Sequence, residues 1–193
     1  AAAAATKQAK LQGALWLEAA QLEETRPDGA GGEAAMALYR QALGNAAADR
    51  EQVLLALRKL GALLEGEAHA DERLDILERQ AALETSPRVR RGLWGEAAEL
   101  ARSRGQIDRA LALWGKRLDE DGADGRPLAR TIEILEAAER WPALVAVLAR
   151  RSEGAAPWSQ RRADLLRIAE IERDKLGAPA KAIAALAKIL DTA

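Results

Sequence analysis

Leu93-Trp94-Gly95-Glu96-Ala97-Ala98-Glu99-Leu100, followed by Ala110-Leu111-Ala112-Leu113-Trp114-Gly115-Lys116-Arg117-Leu118, decides the fold of this chain. In each stretch large apolar residues return every three or four positions, the spacing of one face of an α-helix. Ala97, Ala98 and Ala110 supply small side chains where a neighbouring helix must come close. Between the stretches, Ser103-Arg104-Gly105-Gln106 reads as a tight turn, with Gly105 as the C-terminal stop of the first helix. The two stretches together make one helix-turn-helix hairpin.

Both halves of that hairpin recur. Leu15-Trp16-Leu17-Glu18-Ala19-Ala20-Gln21-Leu22 matches the first, Leu57 to Leu63 and Leu165 to Ile171 repeat it loosely, and Leu128 to Ile134 is a weak copy. Their leading residues are Trp16, Leu57, Trp94, Leu128 and Leu165, with steps of 41, 37, 34 and 37 residues. The second half returns from Ala35 to Leu43 and from Ala182 to Leu190, with looser copies at Leu74 and Leu144. Taking Ala35, Leu74, Ala110, Leu144 and Ala182, the steps are 39, 36, 34 and 38. Two motifs sharing one period indicate a repeat array.

Proline agrees with this register. Pro87, Pro127, Pro142, Pro157 and Pro179 all sit where a helix should begin, and Pro is tolerated in a first turn. Asp71 and Asp108 suit N-caps. Pro27 lies in Arg26-Pro27-Asp28-Gly29-Ala30-Gly31-Gly32, which reads as a loop. The expected helices are 7–25 and 33–44, 50–66 and 71–84, 87–104 and 107–120, 127–139 and 142–153, and 158–176 and 179–191. The fold class is therefore all-α: an α-solenoid of about five hairpins (7–44, 50–84, 87–120, 127–153 and 158–191) forming a single domain over 1–193. Both ends read as cuts through a longer chain, because solenoid ends usually need polar caps.

Composition supports helices packed on helices. The chain is 49% hydrophobic and 31% charged, with no Phe, one Tyr, one Met and five Trp. Roughly a quarter of it is alanine, the best helix former. Val, Ile, Thr and aromatics, which a sheet would need, are scarce. The net charge of −1 gives no global pull toward nucleic acid or anionic membrane. Arg88, Arg90 and Arg91, Arg150 and Arg151, and Arg161 and Arg162 form basic clusters, but acids balance each, so no nucleic-acid partner is expected. No stretch suits membrane insertion, and Ala1 to Ala5 lack the features of a signal peptide. A cytoplasmic location is the expectation. Cysteine is absent, which rules out disulfides and thiolate metal sites.

The sequence holds no constellation for catalysis. His69 is the only histidine and lies in a turn without a metal-ligand partner. Ser86, Ser103, Ser152 and Ser159 lack a strained nucleophile turn. Glu23-Glu24 and Asp119-Glu120-Asp121 are adjacent carboxylates on helix faces or ends rather than a converging pair. The glycines at 29–32 lack the Lys-Ser/Thr of a phosphate loop. The expectation is a protein that is not an enzyme and takes no metal or cofactor. Trp16, Trp94 and Trp114 read as core. Trp141 and Trp158 adjoin helix-starting prolines and read as staples or wedges between repeats.

Trp94, Ala97, Ala98, Ala101, Gly105, Ala110, Trp114 and Leu118 resemble the tetratricopeptide repeat, in an Ala/Arg-rich form of bacterial type, and Leu57, Leu60, Gly61 and Leu64 resemble its leucine-glycine signature. The resemblance covers about residues 10–193 and departs from the family at Leu74 and Leu144, where its second helix opens on a small residue. It implies a right-handed superhelix whose first helices line a concave groove that binds peptides or helices of other proteins. Solvent-facing groove positions would be Leu17, Gln21, Glu24, Arg58, Glu65, Glu99, Arg102, Glu133, Glu136, Glu170 and Arg173. Gly95 and Glu99 stand where the chaperone-binding members carry a carboxylate clamp, so a C-terminal carboxylate is not the expected ligand. The mild acidic tilt points to a basic or amphipathic protein segment. The function expected is a protein-interaction scaffold. The alternatives are a permanent structural subunit of a large assembly and a regulatory region of an enzyme whose catalytic domain lies elsewhere.

Overall fold

A computed structural model describes residues 2–26, 31–120, 125–154 and 157–191, with side chains placed from residue 7 onward. These residues form ten α-helices, no strand among them: α1 (Ala2–Glu24), α2 (Gly31–Gly44), α3 (Arg50–Leu63), α4 (Ala70–Leu83), α5 (Pro87–Ser103), α6 (Ile107–Glu120), α7 (Gly125–Ala137), α8 (Trp141–Glu153), α9 (Trp158–Asp174) and α10 (Pro179–Leu190). A 3₁₀ turn, Glu67–His69, precedes α4. Successive helices pair as antiparallel-style hairpins, and the chain divides into two compact units, Ala1–Glu120 and Asp121–Ala193. The protein is an all-α helical-hairpin repeat.

Local sequence sets the helix ends. At α3 the Asp49 carboxylate accepts from the Gln52 N–H at 3.0 Å, and the Gln52 side chain accepts from the Asp49 N–H at 3.4 Å. Each satisfies a donor the helix cannot. Pro87 and Pro179 occupy the first positions of α5 and α10. Gly105 takes φ 71°, and the next N–H, of Gln106, returns 2.9 Å to Ala101 O. Only a residue without a Cβ adopts that backbone freely. At the end of α7 the same turn is made by Glu139 at φ 53°.

Some expected boundaries shift. Asp71 and Asp108 lie inside the first turns of α4 and α6, where they face the positive helix end, rather than at the caps. Asp71 accepts instead from Gln106 (2.9 Å) and Arg104 (3.4 Å) of the next hairpin. Gly31 and Gly32 belong to α2, not to a loop; residues 27–30 lie outside the described residues. Glu65 falls beyond α3, which ends at Leu63.

In the first unit Leu17, Ala20, Met36, Tyr39, Ala56, Leu57, Leu60 and Leu64 form one core across α1, α2 and α3. The α5–α6 hairpin packs on small residues, with Ala97, Ala98, Ala101 and Ala110 fully enclosed. Trp94 and Trp114 are buried beside them, and Lys116 lies 4.5 Å over the Trp94 ring. Trp16 is only partly buried. In the second unit Leu144, Leu148, Leu165, Ile168, Ala182 and Ala185 make the core of α8, α9 and α10. Trp141 is half-buried, with Lys175 4.9 Å over its ring. It thus bridges α8 to the end of α9, whereas Trp158 is exposed.

Candidate functional site

The first helices of the first unit carry different residues at equivalent positions. Counting from the leading residues, Gly13, Leu17 and Ala20 of α1 correspond to Leu54, Arg58 and Gly61 of α3. In α1 these three are buried. Asn45, in the α2–α3 turn, donates to Ala9 O at 2.7 Å, and a Cβ on Gly13 would lie 2.6 Å from the Asn45 amide. The glycine lets the turn close onto α1.

At α3 the same space stays open. A cleft of about 630 Å³ lies between α3 and the α4–α5 turn, lined by Arg50, Glu51, Leu54, Leu55, Arg58 and Glu84 with their neighbours. Arg58, where α1 has Leu17, lines one side of it. Its Nη2 donates to Glu84 Oε2 at 2.8 Å. Arg50 closes one end by donating to Leu83 O, at 2.8 Å from its Nε. Leu55 stands exposed at the rim with Glu51.

Glu84 anchors this cleft. It is 8% exposed, yet its Oε1 accepts from the Thr85 N–H (2.9 Å) and the Ser86 N–H (3.2 Å). The Ser86 N–H, then Arg58 and the Thr85 N–H, hold its carboxyl below its ordinary value of 4.5 against the opposing effect of burial. A lowered folded-state pKa means stabilisation that is complete above the unfolded value and lost as pH falls through the folded one. Glu84→Gln is expected to cost about 1–3 kcal/mol at neutral pH. In denaturant melts the gap between wild type and variant should be full above pH 4.5 and close in more acidic solution; a gap independent of pH would contradict the assignment.

The expected groove positions are only partly surface. Leu17 is corrected: it is 5% exposed and belongs to the core, because α1 turns that face toward α2 and α3. Glu24 is corrected as well. Its carboxylate accepts from the Tyr39 hydroxyl at 2.5 Å and pairs with Lys59 at 2.7 Å, joining α1, α2 and α3. Burial first, and Glu24 next, push the Tyr39 phenol well above its usual pKa. Glu136 pairs with Arg167, the same connection from α7 to α9. Glu99 and Arg102 hold each other on α5 (2.8 Å), Glu133 is paired with Arg130 (2.7 Å), and Arg173 with Asp174 (2.6 Å). Gln21, Glu65 and Glu170 are exposed. Of the eleven, Arg58 alone lines the cleft.

Leu54, Leu55, Glu51 and Glu84 were not singled out by spacing. The run Val53-Leu54-Leu55-Ala56-Leu57 carried the signal: five consecutive apolar residues cover more of a helix than one packed face requires. One member of each basic cluster, Arg90, Arg151 or Arg161, is an internal strut, whereas Arg88, Arg150 and Arg162 are exposed. Arg90 makes a bidentate pair with Glu120 (2.5 and 2.6 Å), and Arg161 donates to Ser152 O at 2.9 Å. Among the described residues no group of three or more His, Cys, Asp and Glu could hold a metal, and no helix is long and apolar enough to cross a membrane.

The fold and this cleft define a helical-hairpin repeat protein with a recess on a first helix. No protein-family model matches the chain, and no curated protein matches it. Among solved structures it is similar to the nearly identical TPR-like repeats of a putative kinesin light chain from Podosopora anserina, at 15% identity over 96% of this chain and 95% of that chain, with a TM-score of 0.42. A substituted form of the same protein gives 15% identity, coverage of 96% and 94%, and a TM-score of 0.41.

Proposed function

We propose that the chain is a protein-interaction scaffold of the tetratricopeptide-like kind, and that an amphipathic segment of a partner binds in the cleft beside α3. The observation that carries this is the unsealed junction: α1 closes its cleft with Gly13, Leu17 and Ala20, whereas α3 leaves Leu54, Leu55 and Arg58 around an open recess. A recess with an apolar wall and a few fixed polar groups suits a short anchor side chain. Leu54 and Leu55 take the apolar anchor. Glu51, exposed at the rim, faces a basic residue of the same segment. The Arg58–Glu84 pair, already satisfied, shapes the recess and need not bind.

A peptide-display selection on the intact chain tests this reading. It should enrich amphipathic sequences with a basic residue near the apolar anchor, and their amide-shift footprint should fall on 49–58 and 84–85. Leu55→Asp is expected to weaken binding by about tenfold or more while leaving the helical circular dichroism unchanged, since one central anchor contact carries that much. Enriched peptides that bind L55D equally well, or a selection that enriches none, would sink it.

A further inference from the structure

We propose that a primary ammonium group on an aliphatic chain binds in a recess of the second unit, with Glu172 of α9 as its counter-ion. The recess lies between α8, the end of α9 and the start of α10, and holds about 410 Å³. It shares no residue with the α3 cleft.

Glu172 stands seven places after the leading residue of its helix. Seven places on from Leu57, Trp94 and Leu128 are Leu64, Ala101 and Leu135, all apolar and buried. Glu172 is buried like them, at 5% exposed, but carries a carboxylate. The first helix also has an acid there, Glu23, which is half-buried and pairs with Arg26 at 3.1 Å. Glu172 has no such partner: its Oε2 is enclosed and accepts no hydrogen bond from any described residue. A buried carboxylate left unpaired costs stability that a leucine at this position would not. A cation entering the recess offsets that cost.

The seam between second helices explains why there is room. In the first unit Arg109 ties α6 to α4 by reaching Asp75 at 2.5 Å and Glu78 at 2.6 Å, and Gln106 reaches Asp71 at 2.9 Å. The equivalents of Arg109 and Gln106 in the second unit are Lys181 and Ala178, and those of the three acids are Val145, Leu148 and Trp141. No acid meets Lys181 from those positions of α8, and Ala178 is too short to span the seam. The recess that remains is walled by Pro142, Val145, Ala146 and Leu176, with Glu172 and Lys181 as its charged groups. Lys181 is exposed and does not pair with Glu172; its long stem keeps the ammonium in water.

The walls and the single carboxylate define the ligand. Aliphatic walls take an unbranched alkyl stem. With Oε2 enclosed, the carboxylate offers one oxygen, which suits a compact ammonium better than a two-pronged guanidinium. A metal ion would need further oxygen or nitrogen ligands, and no other side chain of the recess supplies one as a carboxylate or imidazole. A partner's lysine side chain and a free amine present the same group.

Amide-shift titration of the intact chain with n-pentylammonium is the test. Shifts should fall on 142–146 and 172–181 and saturate at about millimolar concentration, as so small a ligand allows. 1-Pentanol, equal in stem but uncharged, should bind about tenfold more weakly. Glu172→Gln should weaken amine binding about tenfold. Glu172→Leu should abolish it while raising the urea midpoint, because the unpaired carboxylate is gone. Lys181→Met removes a like charge from the mouth and should tighten binding about twofold or more. Nα-acetyl-lysine amide separates the sources. If it binds as well, the recess admits a side chain carried on a peptide; if n-pentylammonium alone binds, the ligand is a free amine. The absence of any saturable shift, or equal binding of pentanol and amine, or of wild type and Glu172→Leu, overturns the proposal. So does a urea midpoint lowered to the same extent by Glu172→Leu and Lys181→Met, since Lys181 would then be the partner of Glu172. Binding at the α3 cleft is read on other residues, 49–58 and 84–85, so the two readings fail separately.

Discussion

Gly31→Ala should destabilise the protein by about 3 kcal/mol or more, whereas Gly32→Ala should stabilise it by about 0.5–1 kcal/mol. The two glycines are neighbours in the first turn of α2, and helix propensity favours alanine at both. Space separates them. A Cβ at Gly31 would lie 1.7 Å from the carbonyl oxygen of Glu23 and 2.6 Å from its carbon. Those are backbone atoms of α1, so no side-chain rotation relieves the clash, and α1 and α2 must move apart. That movement loosens the packing of Leu17 and Ala20 against Met36 and Tyr39. A Cβ at Gly32 meets nothing within 4 Å. Chemical denaturation of both variants should give shifts of opposite sign. A neutral G31A would mean that α1 does not approach α2 as closely as this fold requires.

The second large effect is expected at the α8–α9 junction. Arg151→Ala should cost about 3–5 kcal/mol, because it strands a buried carboxylate. Asp164 is 2% exposed and accepts from Arg151 at 2.6 and 2.9 Å, with Gln160 donating at 3.0 Å. Removing both charges is a different matter. The equivalent position in α3 is the fully buried Ala56, so the site tolerates an apolar residue. The double substitution Arg151→Met with Asp164→Leu should fall within about 1.5 kcal/mol of wild type. Chemical denaturation of R151A and of the double variant measures this directly. If R151A and the double variant lose stability equally, packing rather than an unpaired charge accounts for the loss.

The exchange of roles along the repeat explains why some residues were legible and others were not. Trp94 and Trp114, with the alanines around them, announced a close-packed hairpin, and both are buried. Leu17 matched the same motif and was expected to face solvent, yet it is core. A first helix in the middle of the array packs on two sides, toward the preceding hairpin and toward its own second helix. In α1 the buried stripe is Gly13, Leu17 and Ala20 rather than the equivalents of Ala56 and Leu60. Helical periodicity reports that a stripe exists, but not which neighbour covers it. Glu24 and Glu136 illustrate the same limit for charge. Each reads as a solvated helix residue from its own sequence, and each is committed by a lysine or arginine more than thirty residues away.

By itself the sequence determined the ten helices and their turns, because propensity, caps, prolines and Gly105 act over a few residues and need no distant partner. It also determined the repeat, since two motifs shared one period. Only the tertiary structure decided which first-helix junction is sealed and which is open. At α1 the turn after the second helix reaches back, as Asn45 does to Ala9, whereas at α3 the turn is tied only through the long side chains of Arg50 and Arg58 and a cleft remains beside them. Close packing is a property of surfaces brought together from distant parts of the chain, so neither junction is written in one helix alone.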